Sequence, residues 1–260
     1  MNQPLAYVHP GAKIAKNVVI EPFTTIHNNV IIGDGTWIGS NVTIMEGARI
    51  GKNCNIFPGA VISAIPQDLK FGGEDSLTII GDNCTIRECV TINRGTIASG
   101  QTTLGNNCLI MATAHIAHDC HVGDRTIFAN NAALAGHVHI GDWAILGGFS
   151  NVHQFCKIGA HAMVGMSTSL TQDVPPFVIL NGNPAAAHGI NIEGLKRRGF
   201  SREQISAIRQ AYRTLYKSGL TLDEAKAALE QEIAEAPSDV AQHIQLMRNF
   251  LDTSTRGIVR

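Results

Sequence analysis

An apolar residue at every sixth position constrains this chain more than any other feature. Val8, Ile14, Ile20, Ile26, Ile32, Ile38, Ile44, Ile50, Ile56 and Ile62 share one unbroken phase. The phase returns at Ile80, Ile86 and Ile92, then runs from Leu104 through Ile110, Ile116, Val122, Phe128, Leu134, Ile140, Leu146, Val152, Ile158 and Val164 to Leu170. A period of six is neither the 3.6 residues of a helical turn nor the two-residue alternation of a half-buried strand. A three-sided solenoid with about six residues per side, hence about eighteen per coil, accounts for it. The position four beyond each aliphatic is usually small, as at Val18, Thr24, Val30, Thr36, Ala48, Ala114 and Ala132, so both slots face one narrow prism. Aromatics make up only 5% of the chain, which suits an interior built from small and β-branched side chains. Five of the six cysteines (Cys54, Cys84, Cys108, Cys120 and Cys156) occupy the small slot and read as core residues rather than disulfide partners.

The pattern changes past Pro175-Pro176. Ser201 with Gln204 and Thr221 with Glu224 have the spacing of capping boxes, and Ile205, Ile208, Tyr212, Leu215 and Tyr216 form one helical face. The expected architecture is a mainly β parallel solenoid over residues 1–187, followed by a helical domain over 188–260. Two breaks in the repeat, near Ser63 to Thr78 and Ile97 to Thr103, predict loops on a rigid scaffold, where functional residues tend to sit.

A formal net charge of −1 argues against generic nucleic-acid binding. Met1-Asn2-Gln3-Pro4-Leu5-Ala6-Tyr7 has neither a basic stretch nor an apolar one, and no apolar run approaches the roughly 20 residues of a membrane span. These features predict a cytoplasmic protein without a membrane segment.

Seven of the eleven histidines lie from His115 to His161, in coils whose interior needs only aliphatics. His115, His118 and His121 have a spacing that suggests a metal site, but residues three apart on a solenoid point to different sides and cannot reach one ion within a coil. Stacking at eighteen residues is more informative: it sets His118 under Gly136 and Asp119 under His137. A histidine beside a carboxylate, with a glycine amide one coil up, has the parts of a general base and an oxyanion donor. A solvated His-Asp pair on a turn is the plain alternative. With the cysteines internal, no nucleophile for a covalent intermediate is evident, which favours direct transfer.

The hexapeptides Ile-Gly-Asp-Gly-Thr-Trp and Ile-Gly-Lys-Asn-Cys-Asn resemble those of left-handed parallel β-helices, and the handedness comes from that likeness alone. The strings Gln67-Asp68-Leu69-Lys70-Phe71, Ala114-His115-Ile116-Ala117-His118-Asp119-Cys120, Leu134-Ala135-Gly136-His137-Val138, Val152-His153-Gln154-Phe155 and Asn191-Ile192-Glu193-Gly194-Leu195-Lys196-Arg197-Arg198-Gly199-Phe200 resemble the UDP-N-acetylglucosamine O-acyltransferases of lipid A biosynthesis. The likeness spans essentially the whole chain. It implies a homotrimer with clefts between subunits, a 3-hydroxyacyl-acyl carrier protein donor, UDP-N-acetylglucosamine as acceptor, and no cofactor or metal. His118 would be the base, Asp119 its orienting carboxylate and Gly136 the oxyanion donor. Asp68, Lys70, His115 and His137 would contact the sugar and acyl groups; His153, Gln154, Asn191, Glu193, Arg197 and Arg198 would contact the nucleotide. Paired guanidinium donors suit phosphate, although Arg197 and Arg198 also read as a solvated charge run, and with Lys196 as an attractor of an acidic carrier protein.

Two positions depart from the family pattern. Asn93 stands where histidine is usual, so a histidine contact there does not carry over. Met166, one coil above Gly148, stands where the acyl groove is limited and glycine occurs, which predicts a shorter acyl chain. Rival readings are another hexapeptide acyltransferase, including the later N-acyltransferase of the same pathway, whose N-terminal uridine-binding domain is not expected here because repeats begin by Val8. A zinc-dependent carbonic anhydrase of γ type and a non-catalytic scaffold are the others.

Overall fold

The computed structural model describes residues 4–260; Met1 to Gln3, the start of the stretch read above for a leader, lie outside them. Short strands, mostly of two residues, wind into three sheets of nine, eight and ten strands among the described residues, parallel except for the last strand. The faces of the prism are exemplified by His115–Ile116 on the first, His121–Val122 on the second and Ile127–Phe128 on the third. Registers such as His115↔Ala133 and Ala133↔Asn151 confirm the eighteen-residue stacking. The aliphatics of the repeat fill the axis: Ile20, Ile26, Ile38, Ile44, Ile56, Ile86 and Ile116 are fully buried, with Cys54, Cys84, Cys108, Cys120 and Cys156 beside them.

Each insertion adds a multiple of six, which is why the phase survives it. Val61 pairs with Thr91, 30 residues on, and Thr91 pairs with His115, 24 residues on. The turns are built on left-handed backbone, with positive φ at Asn41, Asn53, Asn83, Asn107 and Asn131. Asparagine tolerates this conformation because its short amide bonds locally. In the later coils Asp119, His137 and Phe155 take the same left-handed turn position, at φ 58°, 61° and 66°.

The last long strand, Ala186–Ile190, turns back antiparallel on Val178–Asn181. The division expected after residue 187 therefore falls inside a strand. Four helices follow: α1 (Ile192–Arg197), α2 (Arg202–Tyr216), α3 (Leu222–Glu235) and α4 (Ser238–Thr253). Both expected capping boxes form, at Ser201 with Gln204 and at Thr221 with Glu224. Ile205, Ile208, Tyr212 and Leu215 bury the inner face of α2. The chain ends against the last coil, where the Asp173 carboxylate accepts hydrogen bonds from Lys157 N (2.7 Å), Ser254 Oγ (2.8 Å), Thr255 N (2.9 Å) and Arg256 N (3.2 Å). Among the described residues no helix is long and apolar enough to cross a membrane.

Candidate active site

The turn between the first and second faces carries a vertical column of reactive side chains. His118 and Asp119 occupy it on one coil, Gly136 and His137 on the next, and Gln154 and Phe155 above those. His118 Nδ1 lies 2.8 Å from Asp119 Oδ2. An ionised carboxylate only accepts, so Nδ1 carries the proton, and in the neutral imidazole Nε2 is the nitrogen with the free lone pair. The imidazole lies close against the glycine one coil up: a Cβ on Gly136 would meet His118 Cε1 at 2.5 Å and Nε2 at 2.7 Å. Glycine is thus required there for space, and its amide donates to no acceptor among the described residues.

Asp119 is 5% exposed, and its side chain not at all. Oδ1 accepts from Thr96 N (2.9 Å) and Ser99 Oγ (2.5 Å), and Oδ2 from Thr96 Oγ1 (2.7 Å) as well as from His118. Burial opposes the charge, but the hydrogen bonds from Ser99, His118 and Thr96 outweigh it and hold the carboxyl well below the usual range. Thr102 Oγ1 accepts from the Asp119 amide at 2.8 Å. His137 stands edge-on to His118 with ring centroids 5.1 Å apart, and stacks on Phe155 at 4.5 Å. Burial lowers its pKa, the Asp119 charge working against that.

Several other expected residues join this column. His115, on the first face, meets Thr91 Oγ1 through Nδ1 at 2.7 Å, and burial together with His118 lowers its pKa. Asp68 is half-buried in the first inserted loop, and its charge reaches His137; Lys70 beside it is exposed. His153 and Gln154 are exposed at the top. Asn93 is 2% exposed and donates through Nδ2 to Ile65 O at 3.2 Å, pinning the base of that loop.

The helical-domain residues lie elsewhere. Asn191 caps α1, accepting from Gly194 N at 3.1 Å and donating to His161 O at 3.1 Å. Arg198 donates to His161 Nδ1 and to Trp143 O, both at 2.9 Å, and packs over the Trp143 ring. Glu193 is exposed and pairs with Lys196 at 2.8 Å, and Arg197 is exposed. Trp143 and His161 sit on the turn between the second and third faces, so within one chain these residues and the His118 column occupy different edges of the prism. Met166 is 74% exposed, and Ser167 N donates to Gly148 O at 2.8 Å, which places Met166 one coil above Gly148.

His115, His118 and His121 fall on the first face, the turn and the second face, as their spacing predicts. A different trio draws together: ligand atoms of His118, Asp119 and His137 lie within 4.8 Å of one another and could reach one cation. Both Asp119 oxygens, however, are already committed to hydroxyl, amide and imidazole donors. The residues that sequence reasoning missed are Thr96, Ser99, Thr102, Phe155 and Asp173. Phe155 was accessible to the stacking rule, eighteen residues above His137, whereas Asp173 departs from it, lying beside Lys157 where Ile158 pairs with Val174 only sixteen residues on. Thr96 and Ser99 lie in a loop that no period describes.

Residues 173–259 match the family description "Udp N-acetylglucosamine O-acyltransferase; Domain 2", and residues 101–136 match "Bacterial transferase hexapeptide (six repeats)". The acyl-[acyl-carrier-protein]--UDP-N-acetylglucosamine O-acyltransferase of Janthinobacterium sp. (strain Marseille) is 53% identical over 200 residues, 76% of each chain. The chain belongs to the UDP-N-acetylglucosamine O-acyltransferase family. The same-named protein of Burkholderia mallei (strain SAVP1) is 50% identical over 75% of this chain and 74% of its own. Among solved structures, LpxA from Acinetobacter baumannii superposes with a TM-score of 0.95 at 45% identity, covering 100% of this chain and 99% of its own. LpxA from Bacteroides fragilis gives 0.95 at 48% identity with complete coverage of both. These relatives establish the left-handed hexapeptide β-helix and make this chain an acyltransferase.

Proposed function

We propose that this family member transfers a 3-hydroxyacyl group from acyl carrier protein to the glucosamine 3-hydroxyl of UDP-N-acetylglucosamine, in a cytoplasmic homotrimer, with His118 as general base. The acyl carrier protein donor and the UDP-N-acetylglucosamine acceptor are those in the relatives' names, and the 3-hydroxyacyl group and the 3-hydroxyl are what the sequence resemblance implies. The mechanism rests on one observation: His118 is held by Asp119 through Nδ1 with its ring against the Gly136 backbone.

His118 Nε2 takes the proton of the sugar hydroxyl as that oxygen attacks the thioester carbonyl carbon. The negative charge that collects on the carbonyl oxygen is met by the Gly136 amide, which no internal acceptor occupies. The carbon–sulfur bond then breaks, and the imidazolium returns its proton to the leaving thiolate, giving an ester and free carrier thiol. Asp119, kept ionised by its donors, stabilises the imidazolium in between. Asp68, Lys70, His115 and His137 would contact sugar and acyl groups around this centre. Gly148 and Met166 would set the length of the acyl groove.

The separation of Asn191, Glu193, Arg197 and Arg198 from the His118 column favours a trimeric cleft, in which a neighbouring copy brings them to the nucleotide beside His153 and Gln154. The exposed Lys196 and Arg197 are suited to an acidic carrier protein. The test is transfer of labelled 3-hydroxyacyl groups of several lengths, wild type beside His118→Ala. Loss of transfer in a folded mutant supports the base; a wild type that transfers nothing at any length removes this substrate pair, and zinc content would then be assayed.

A further inference from the structure

The second inserted loop does more than keep Asp119 ionised. Gly100 N donates to Thr96 O at 2.8 Å, closing residues 96–100 into one tight turn, and Ala98 N donates to Thr96 Oγ1 at 3.2 Å. The turn is anchored on its outer side by Glu74, from the first inserted loop, which accepts from Ile97 N at 3.0 Å and from Gly72 N at 2.8 Å. On its inner side it directs three donors at one carboxylate: Thr96 N, Thr96 Oγ1 and Ser99 Oγ all end on Asp119. Ser99 is exposed, while Thr96 is 7% exposed. Two exposed loops thus meet at a Glu74–Ile97 contact and close on a buried anion. Nothing in the packing of the solenoid requires this, since coils without an insertion make the same turn without it.

We infer that Thr96 and Ser99 are positioning residues for the transfer reaction, a hydroxyl clamp that fixes the rotamer of Asp119 so that Oδ2 faces His118 Nδ1. This rests on the proposed role of His118 and Asp119. A carboxylate has two oxygens and a nearly free terminal torsion. With Oδ1 held by Ser99 and the Thr96 amide, and Oδ2 by the Thr96 hydroxyl, one direction on Oδ2 remains for the imidazole. The clamp also spreads the carboxylate charge over several donors, which moderates its pull on His118.

The experiment compares Ser99→Ala, Thr96→Val, Thr96→Ser and Asp119→Asn as full-length protein in the acyl-transfer assay, with kcat, KM and the pH dependence of kcat/KM measured for each. Ser99→Ala and Thr96→Val are expected to lose about tenfold or more in kcat with KM little changed, since misplacing a catalytic group costs rate rather than binding. Their acid limb is expected to move to higher pH as the released carboxylate concentrates its charge on His118. Thr96→Ser, which restores the hydroxyl, should run within about twofold of wild type. If Asp119→Asn is inactive while Ser99→Ala and Thr96→Val keep both the wild-type kcat and the wild-type acid limb, the clamp is refuted and the base survives. A fall in kcat with an unmoved limb and no rescue by Thr96→Ser also refutes it, as a purely structural effect. If Asp119→Asn itself retains full activity, the reading of His118 and Asp119 fails first.

Discussion

The His118 imidazole rests on Gly136 so closely that a single methyl group at residue 136 would come within 2.5 Å of the ring. Gly136→Ala is therefore expected to push His118, the proposed base, off its line and to obstruct the amide proposed to meet the oxyanion, while leaving the aliphatic core intact. A loss of about a hundredfold or more in kcat is expected, with an unaltered melting temperature. Steady-state kinetics beside a thermal melt check it; a variant with normal kcat would show that the ring has room to move.

Asp119 is expected to remain ionised across the range in which the enzyme works, because its donors hold its carboxyl below the ordinary value. Its folded pKa is depressed, so the stability it contributes is present above the unfolded value of about 4 and is lost as pH falls below that towards the folded pKa. Protonation of this carboxylate is thus not the source of any loss of activity at mildly acidic pH. Asp119→Asn should cut kcat by about a hundredfold or more without changing the oligomeric state; pH–rate profiles and gel filtration together test this.

His161 carries a separate pH dependence. Burial, with Arg198 and His243 nearby, pushes it down to about 4, and its neutral Nδ1 accepts from Arg198. A lowered histidine pKa means that the stabilising neutral form is complete above the ordinary value of about 6.5 and is lost as pH falls from there to about 4. Wild-type melting temperature should therefore fall over that interval. In His161→Phe, which keeps a ring between Trp143 and Phe177, the fall should be shallower; equal slopes would contradict the assignment.

Asp173 is fully buried and tethers the C-terminal segment to the solenoid, accepting three hydrogen bonds from residues 254–256 and one from Lys157 N. Asp173→Ala leaves those donors unmatched and is expected to destabilise the protein by about 2–4 kcal/mol, read by urea unfolding. A change below about 0.5 kcal/mol would show that water replaces the carboxylate at no cost.

Met166 projects from the turn one coil above Gly148 and is largely exposed in the single chain. If it closes the acyl groove, Met166→Gly should shift the donor-length optimum towards longer chains while shorter donors lose rate. An unchanged profile would mean that the thioether folds aside, as its flexibility permits.

The coil, its eighteen-residue rise and the inward aliphatics were legible because a solenoid repeats one local contact, so every register follows from the one before. Stacking Asp119 under His137 and His118 under Gly136 was legible for the same reason, and so were the helical caps, which depend on residues three apart. The hydroxyls of Thr96 and Ser99 were not, since a loop leaves the repeat and its path is set by what it meets, here Glu74 on one side and Asp119 on the other. Nor was the engagement of Arg198 with His161 and Trp143, where side chains 37 and 55 residues apart meet only once the helices dock. Sequence by itself determined the scaffold and the column of groups along its edge. Tertiary structure decided which donors charge and aim Asp119 and where the helical-domain arginines go, because those contacts join segments that no periodicity connects.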